Sequence, residues 1–227
     1  IGGAVMSRLT STPVRTVSIG FREADFGERA LAREVARRWG TDHEEFLVEP
    51  QALDVLPRLA RLYDEPFADS SAVPTWYVSQ AARRRVTVAL SGDGGDEGFG
   101  GYDRYLAMQA ASRLDGALGP ARRATARTLL GLLPPGPGRE RSLRRRGRRF
   151  LEGLALTPED RYLGWVAVFS PAMQSELYAP EFSRTVAGTP AGRLLAEAYA
   201  RFRARDAGAA TMLVDFETYL PCDLMTK

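Results

Sequence analysis

The sequence predicts an α/β protein, a parallel sheet with helices on both faces, followed by a mostly helical C-terminal part. Three observations carry this. Between residues 1 and 105, short β-branched apolar runs alternate with segments whose apolar residues recur at helical spacing, the pattern of strand-helix-strand units. The run Val86-Thr87-Val88-Ala89-Leu90 is apolar enough to be buried on both faces and stops abruptly in a Gly-rich turn, as a parallel strand does at its C-terminal end. Beyond Tyr105 the strand signals cease, and helical spacing continues with one break at Pro134-Pro135-Gly136-Pro137-Gly138.

In chain order, Ile1 to Leu9 has the small and apolar spacing of a helix already under way, with neither an initiator methionine nor a capping residue before it, so a fragment is expected. Val14 to Phe21 alternates and reads as a strand. Gly27 to Gly40 places Leu31, Val35, Ala36 and Trp39 on one helical face and ends at glycine. His43 to Val48 is a second strand, closed by Pro50. Ala52 to Tyr63 is a helix with Leu53, Leu56, Leu59, Ala60 and Tyr63 on its apolar face and a kink expected at Pro57. Val73 to Arg85 follows, with Pro74 near its first turn, where a missing N–H costs little, and leads into the Val86 strand. In such sheets ligands bind beyond the strand C-termini, where Ile19-Gly20 and Ser91-Gly92 both fall. Asp103 to Leu114, Ala121 to Leu133, Pro158 to Trp165, Pro171 to Tyr178, Ala191 to Arg205 and Ala209 to Leu220 are expected helices. Tyr162, Trp165, Phe169, Leu177 and Tyr178 are expected in their core.

Composition narrows the function. With 227 residues, 44% of them hydrophobic and only 14 prolines, the chain suits one large or two small globular domains. No apolar run approaches the about 20 residues that span a bilayer, and the first residues lack a signal-peptide pattern, so neither membrane nor secretion is expected and the cytoplasm is. Cys222, the one cysteine, makes no internal disulfide and has no clustered partner for zinc, which leaves it as a buried thiol or a tolerated substitution. His43, the one histidine, lies between charged residues and reads as a surface residue rather than a catalyst. The net charge of +3 conceals a basic stretch from Arg122 to Arg149 in an otherwise acidic chain. Within it Leu143, Phe150, Leu151 and Leu154 share a helical face. With no interleaved aromatic residues, the stretch reads as a solvated helix rather than a nucleic-acid surface.

The chemistry concentrates in Ser91-Gly92-Asp93-Gly94-Gly95-Asp96-Glu97 and the following Phe99-Gly100-Gly101-Tyr102 and Arg104-Tyr105. Glycines without side chains let backbone N–H groups approach an anion and make positive φ sterically free. Carboxylates in the same turn would repel a bare phosphate. Together the two features point to a divalent cation such as Mg²⁺ joining Asp96 and Glu97 to a polyphosphate.

These residues resemble the second ATP-site motif of the synthetase domain of glutamine-dependent asparagine synthetases. Asp64-Glu65-Pro66, Asp69, Ser71 and Pro74 resemble the family's preceding segment, and Tyr219-Leu220-Pro221, Asp223-Leu224 and Lys227 its next marker, so the resemblance spans about Val14 to Lys227. Arg148-Arg149-Phe150-Leu151 and Arg161-Tyr162 carry it through the basic stretch. It implies a PP-loop ATP pyrophosphatase fold, related to the adenine nucleotide alpha hydrolases. Residues 1–115 would be the nucleotide-binding part, without its first strand and its Ser-Gly-Gly-x-Asp-Ser loop. Residues 116–227 would be the mostly helical part, joined through the Pro/Gly/Arg-rich connection.

The activity implied by the resemblance uses ATP and Mg²⁺. The aspartate side chain is adenylated, and ammonia from an N-terminal glutaminase domain absent here then displaces AMP to give asparagine. By position in the motif, Asp93 would act in forming the acyl-adenylate. Ser91 and Gly92 would hold ATP, Ile19 would offer backbone contact to adenine, and Asp96 and Glu97 would carry the metal. Glu28 and Asp69 are weaker candidates for polar contacts. Lys227 matches the first lysine of the family's Lys-x-Asp-Arg segment and is not assigned a catalytic role. Residues 1–227 alone are expected to be inactive. Partners are aspartate, ATP and ammonia, with no nucleic acid and no membrane, and a homodimer is left open. A β-lactam synthetase-like or peptide-cyclising ligase and a non-catalytic remnant are the alternatives. Asp93 weighs against the first, whose members carry tyrosine there.

Overall fold

A computed structural model of the chain describes residues 1–20, 29–49, 52–132, 143–187, 192–202 and 206–227. They gather into two compact units, residues 1–92 with Lys227 and residues 93–226. Phe21, Gly27, Glu28, Pro50, the Pro134 to Gly138 break, Arg139, Ala191 and Arg205 lie outside the described residues.

The first unit runs α1 (Gly2–Leu9), β1 (Arg15–Gly20), α2 (Arg29–Trp39), β2 (Asp42–Leu47), α3 (Ala52–Tyr63) and α4 (Ala72–Arg83). β1 and β2 pair in parallel from Arg15 opposite Asp42 to Gly20 opposite Leu47, so the predicted parallel pairing is present. Gly40 at φ +60° ends α2 in the left-handed conformation that glycine adopts cheaply, and the chain turns directly into β2. His43 departs from its surface reading. Its side chain is only 11% exposed, with Nδ1 2.9 Å from Thr16 Oγ1 and Nε2 3.2 Å from Ser18 Oγ, so the ring ties β2 to β1. Pro57 lies inside α3 without ending it. Val55 and Leu59 on α3 close a small core with Ala72 on α4, flanked by Tyr63, Phe67, Trp76 and Tyr77. The expected apolar face of α3 is only partly realised, since Leu53 is 84% exposed.

Val86 to Leu90 is not a strand. A strand exists through its ladder, and among the described residues the sheet consists of β1 and β2 alone. A run patterned for burial on both faces needs a neighbour on each edge. Without them Val88 and Leu90 are exposed.

The second unit is helical, comprising α5 (Gly95–Phe99), α6 (Asp103–Leu118), α7 (Arg122–Leu132), α8 (Leu143–Leu154), α9 (Pro158–Val166), α10 (Pro171–Leu177), α11 (Pro180–Val186), α12 (Gly192–Phe202), α13 (Ala207–Glu217) and α14 (Tyr219–Cys222). Its main core joins Met108 of α6, Tyr162 of α9, Ala198 and Tyr199 of α12 and Val214 of α13. A second cluster joins Ala111, Ala126 and Leu154, which seats the basic helix α8 through its apolar side. Leu143 takes no part in that face and is exposed.

Helix starts follow side-chain chemistry. Thr157, Ser170 and Asp206 each accept a backbone N–H from the first turn of α9, α10 and α13, and Pro158 and Pro171 occupy the first helical positions. α11 was not foreseen, because Ala179 before Pro180 offers no capping oxygen. Phe169 and Leu177, expected in the core, are 50% and 63% exposed, whereas Tyr162 is buried and Trp165 and Tyr178 are half-buried. Cys222 is exposed rather than buried. Among the described residues no helix is long and apolar enough to cross a membrane.

Candidate functional site

The motif Ser91 to Tyr105 crosses the division between the units, and its members are placed on each. Ile19 is half-buried, one residue from the C-terminal end of β1 and opposite Phe46. Ser91 and Gly92 are exposed. A Cβ on Gly92 would meet no other atom of the described residues within 4 Å.

On the second unit the Gly-rich turn becomes a single short helix, α5, where the sequence suggested only a turn. Gly94 at φ +84° precedes it and Gly100 at φ +72° follows it, both in the left-handed region. Gly95 is the first helical residue, so the positive φ expected along the turn falls on Gly94 and Gly100 instead. Between them Asp96 is exposed and Glu97 is 2% exposed. Gly101 has a different reason to be glycine. A Cβ there would collide with the Asp96 carboxylate and stand 3.1 Å from Asp96 Cα, and the Gly101 N–H donates to the Asp96 carbonyl at 2.9 Å. The Asp96 side chain is therefore seated against bare backbone. Asp93 is exposed.

Behind α5 stands a buried polar network that the sequence reading missed. Tyr102 Oη donates to Glu97 Oε1 at 2.8 Å. The Arg104 guanidinium lies over the Tyr102 ring, 3.8 Å from its centroid, and 5.0 Å from that of Tyr219. Arg104 Nε and Nη2 donate to Asp215 Oδ2 at 3.0 and 2.7 Å, Tyr105 Oη donates to the same oxygen at 2.6 Å, and Tyr162 Oη donates to Oδ1. Asp215 has no exposed surface, so these four donors replace its lost water. Burial pushes the Tyr105 and Tyr162 hydroxyls up from their ordinary value, and the Asp215 charge pushes them further. Burial also raises Tyr102, helped by its hydrogen bond to Glu97. Burial works to lower Arg104, but Tyr162 and Asp215 outweigh it and hold the guanidinium charged. A signal for this network was present in the sequence, as a lone aspartate in the apolar run Met212-Leu213-Val214-Asp215-Phe216 of α13.

A second cluster lies on the first unit. Asp69 Oδ1 accepts the Ser71 N–H at 2.9 Å, and its other oxygen meets the Ser71 hydroxyl and the Lys227 ammonium, which also reaches Ser71 Oγ. The Lys227 side chain is 6% exposed, the setting of a structural clasp. A cavity of about 410 Å³ beside it is lined by Leu59, Tyr63, Trp76, Gln80, Arg83 and Lys227, and by no residue of the Gly-rich motif.

Among the described residues no three His, Cys, Asp or Glu side chains gather as a metal cage. Mg²⁺ bound with a nucleotide needs only one or two carboxylates beside phosphate oxygens and water. The exposed, seated Asp96 fits that pattern. Glu97 has its carboxylate turned to the interior and held by Tyr102.

Comparison with known proteins supplies the relationship. The profile of the family described as asparagine synthase matches residues 3–227. The chain is 30% identical over 177 residues to an asparagine synthetase (glutamine-hydrolysing) of Bacillus subtilis strain 168, covering 75% of this chain and 26% of that relative. It is 32% identical over 216 residues to a Mycobacterium bovis protein provisionally named as the same enzyme, covering 93% of this chain and 31% of that relative. No solved structure matches it. The chain thus spans about a quarter to a third of the length of these relatives, and, with nearly every residue inside the matched profile, it belongs to the asparagine synthase family.

Proposed function

We propose that the chain is part of an ATP-dependent ligase of the PP-loop type that amidates the side chain of aspartate. The observation that supports this best is the stretch Ser91 to Tyr105. It keeps Asp96 exposed on a short helix bracketed by two left-handed glycines and Asp93 exposed in the turn just before the first of them, while its aromatic and basic residues anchor the stretch from behind. A carboxylate is a poor electrophile, so its oxygen first attacks the α-phosphorus of ATP and pyrophosphate leaves. Ammonia then adds to the acyl carbon, loses a proton, and AMP departs.

In this reading Ser91 and Gly92 bind the nucleotide, the Ile19 backbone contacts adenine, and Asp93 serves formation of the acyl-adenylate. Asp96 would hold Mg²⁺ beside the phosphates, whereas Glu97, expected to share the metal, is turned inward onto Tyr102. The metal supplies neutralisation of charge spread over the phosphates. Ammonia comes from glutamine through a glutaminase partner domain.

The test is aspartate-dependent ATP–PPi exchange by the longest gene product containing these 227 residues, with Asp93→Asn as the control. Exchange that requires aspartate and falls at least 100-fold in the variant supports the reading. Wild-type exchange in D93N sinks the role of Asp93. Exchange that answers to another carboxylate and not to aspartate replaces the acceptor, and no exchange at all makes the chain a non-catalytic remnant.

A further inference from the structure

We infer that Glu97 is a positioning residue rather than a metal ligand, and that Asp215, 118 positions further along the chain, sets its place through Arg104 and Tyr102. The inference rests on the proposed ATP-dependent chemistry for its kinetic arm, but not for its structural one.

The two carboxylates of α5 have opposite surroundings. Asp96 is exposed and its side chain fills the space that glycine leaves at position 101. Glu97 is 2% exposed and accepts the Tyr102 hydroxyl at 2.8 Å. A hard cation keeps most of its water and binds carboxylates that water can reach. To join it, Glu97 would have to leave an enclosed position and abandon the half-buried Tyr102 hydroxyl, which would lose its acceptor.

Tyr102 is itself fixed. Its ring is covered by the Arg104 guanidinium at 3.8 Å, and Arg104 is held in that pose by two hydrogen bonds to one oxygen of Asp215. Tyr105 and Tyr162 hold Asp215 in turn. Every member of this chain of contacts except Glu97 and Tyr102 belongs to α6, α9 or α13, whose packing forms the core of the unit. α5 has only five residues, too few for its own hydrogen bonds to fix it. α5 packs directly on α13, with Met212 beside Gly100, and the Arg104 fork and the Tyr102 ring add the polar link that turns Glu97 inward and Asp96 outward.

The test compares Asp96→Asn, Glu97→Gln, Tyr102→Phe and Asp215→Asn by two measurements. In ATP–PPi exchange, D96N raises the half-saturating Mg²⁺ concentration at least tenfold. E97Q, whose amide oxygen still accepts the Tyr102 hydroxyl, leaves it within about twofold. Y102F and D215N raise the KM for ATP several-fold by the same factor, and the double variant is no worse than the stronger single one. A tenfold weaker Mg²⁺ response in E97Q would overturn the inference, as would multiplicative effects of Y102F and D215N on KM. If the wild type shows no exchange, the proposed function has failed, and the positioning claim is read from thermal unfolding of Y102F, D215N and the double variant. There, a double Y102F/D215N variant melting no lower than D215N supports it. Shifts that simply add overturn it, because the two side chains would then be uncoupled.

Discussion

Replacing Asp215 by asparagine should strongly destabilise the second unit. The carboxylate has no exposed surface and receives four hydrogen bonds, two from the Arg104 guanidinium and one each from Tyr105 and Tyr162. Asparagine keeps the shape but not the charge, and its NH₂ group can only donate, so even if the Tyr162 hydroxyl turns to accept from it, that hydroxyl's own proton loses its acceptor and Arg104 loses its counter-charge. Breaking a buried pair by removing one charge costs roughly 3 to 5 kcal/mol. Arg104 is 22% exposed, so water relieves part of its loss and the lower end, about 3 kcal/mol, applies. That is more than a hundredfold in the folded-to-unfolded ratio, since about 1.4 kcal/mol is tenfold. At a few degrees per kcal/mol for a unit of this size, the melting temperature should fall by roughly 10 °C. Thermal unfolding followed by circular dichroism reads it directly. A D215N protein melting within 2 °C of wild type would refute the reasoning, because the buried network would then contribute nothing that asparagine cannot supply.

Three further outcomes follow from the geometry. Gly101→Ala should displace the Asp96 carboxylate, since the added methyl takes its place, and a rise of at least tenfold in half-saturating Mg²⁺ with a melting temperature within about 3 °C of wild type is expected; unchanged Mg²⁺ dependence would show that the seat is irrelevant. Asp206→Ala removes the oxygen that accepts the Gly208 and Ala209 N–H groups and should cost about 1 kcal/mol at pH 7. Because the Ala209 N–H above all holds the Asp206 carboxyl below its ordinary value, this contribution is present above the ordinary aspartate value of about 3.9 and is lost as pH falls through the lower folded one, so denaturant titrations of wild type and D206A should converge in strong acid. Tyr105 and Tyr162 are raised, so their stabilisation is complete below the free tyrosine value of about 10 and declines as pH rises beyond it; the alkaline loss of stability should shrink in Tyr162→Phe, and an identical alkaline limb would count against the buried hydroxyl.

Much of the element order was legible because local chemistry decides it. Ala52–Tyr63 matches its expected span, and α9 and α10 begin where Thr157-Pro158 and Ser170-Pro171 place a capping oxygen before a proline. The failures share a different origin. Val86 to Leu90 has strand composition, but a strand is a relation between segments, and nothing in five apolar residues reports whether neighbours stand beside them. Phe169 and Leu177 are apolar at helical spacing, yet α10 is seven residues long and buries neither of them. His43 looked like a surface residue because its sequence neighbours are charged, whereas period-2 alternation turns it toward Thr16 and Ser18 on the next strand.

The candidate site divides along the same line. Its chemistry-bearing residues lie in one contiguous stretch and could be read from their identities, since glycines and carboxylates at that spacing already restrict what they can bind. What separates Asp96 from Glu97 is invisible at that level, because both are acidic residues in the first turn of the same short helix. Only the tertiary structure turns one outward against Gly101 and the other inward onto Tyr102. The partner that makes the inward position tenable is Asp215, and its own tolerance of burial depends on Arg104, Tyr105 and Tyr162. A buried carboxylate of this kind is stable only when its donors arrive together, so the residues Tyr102, Arg104 and Tyr105 of the motif have to be read as a set with one distant aspartate. The motif is long because it encodes both the exposed residues and the supports that aim them.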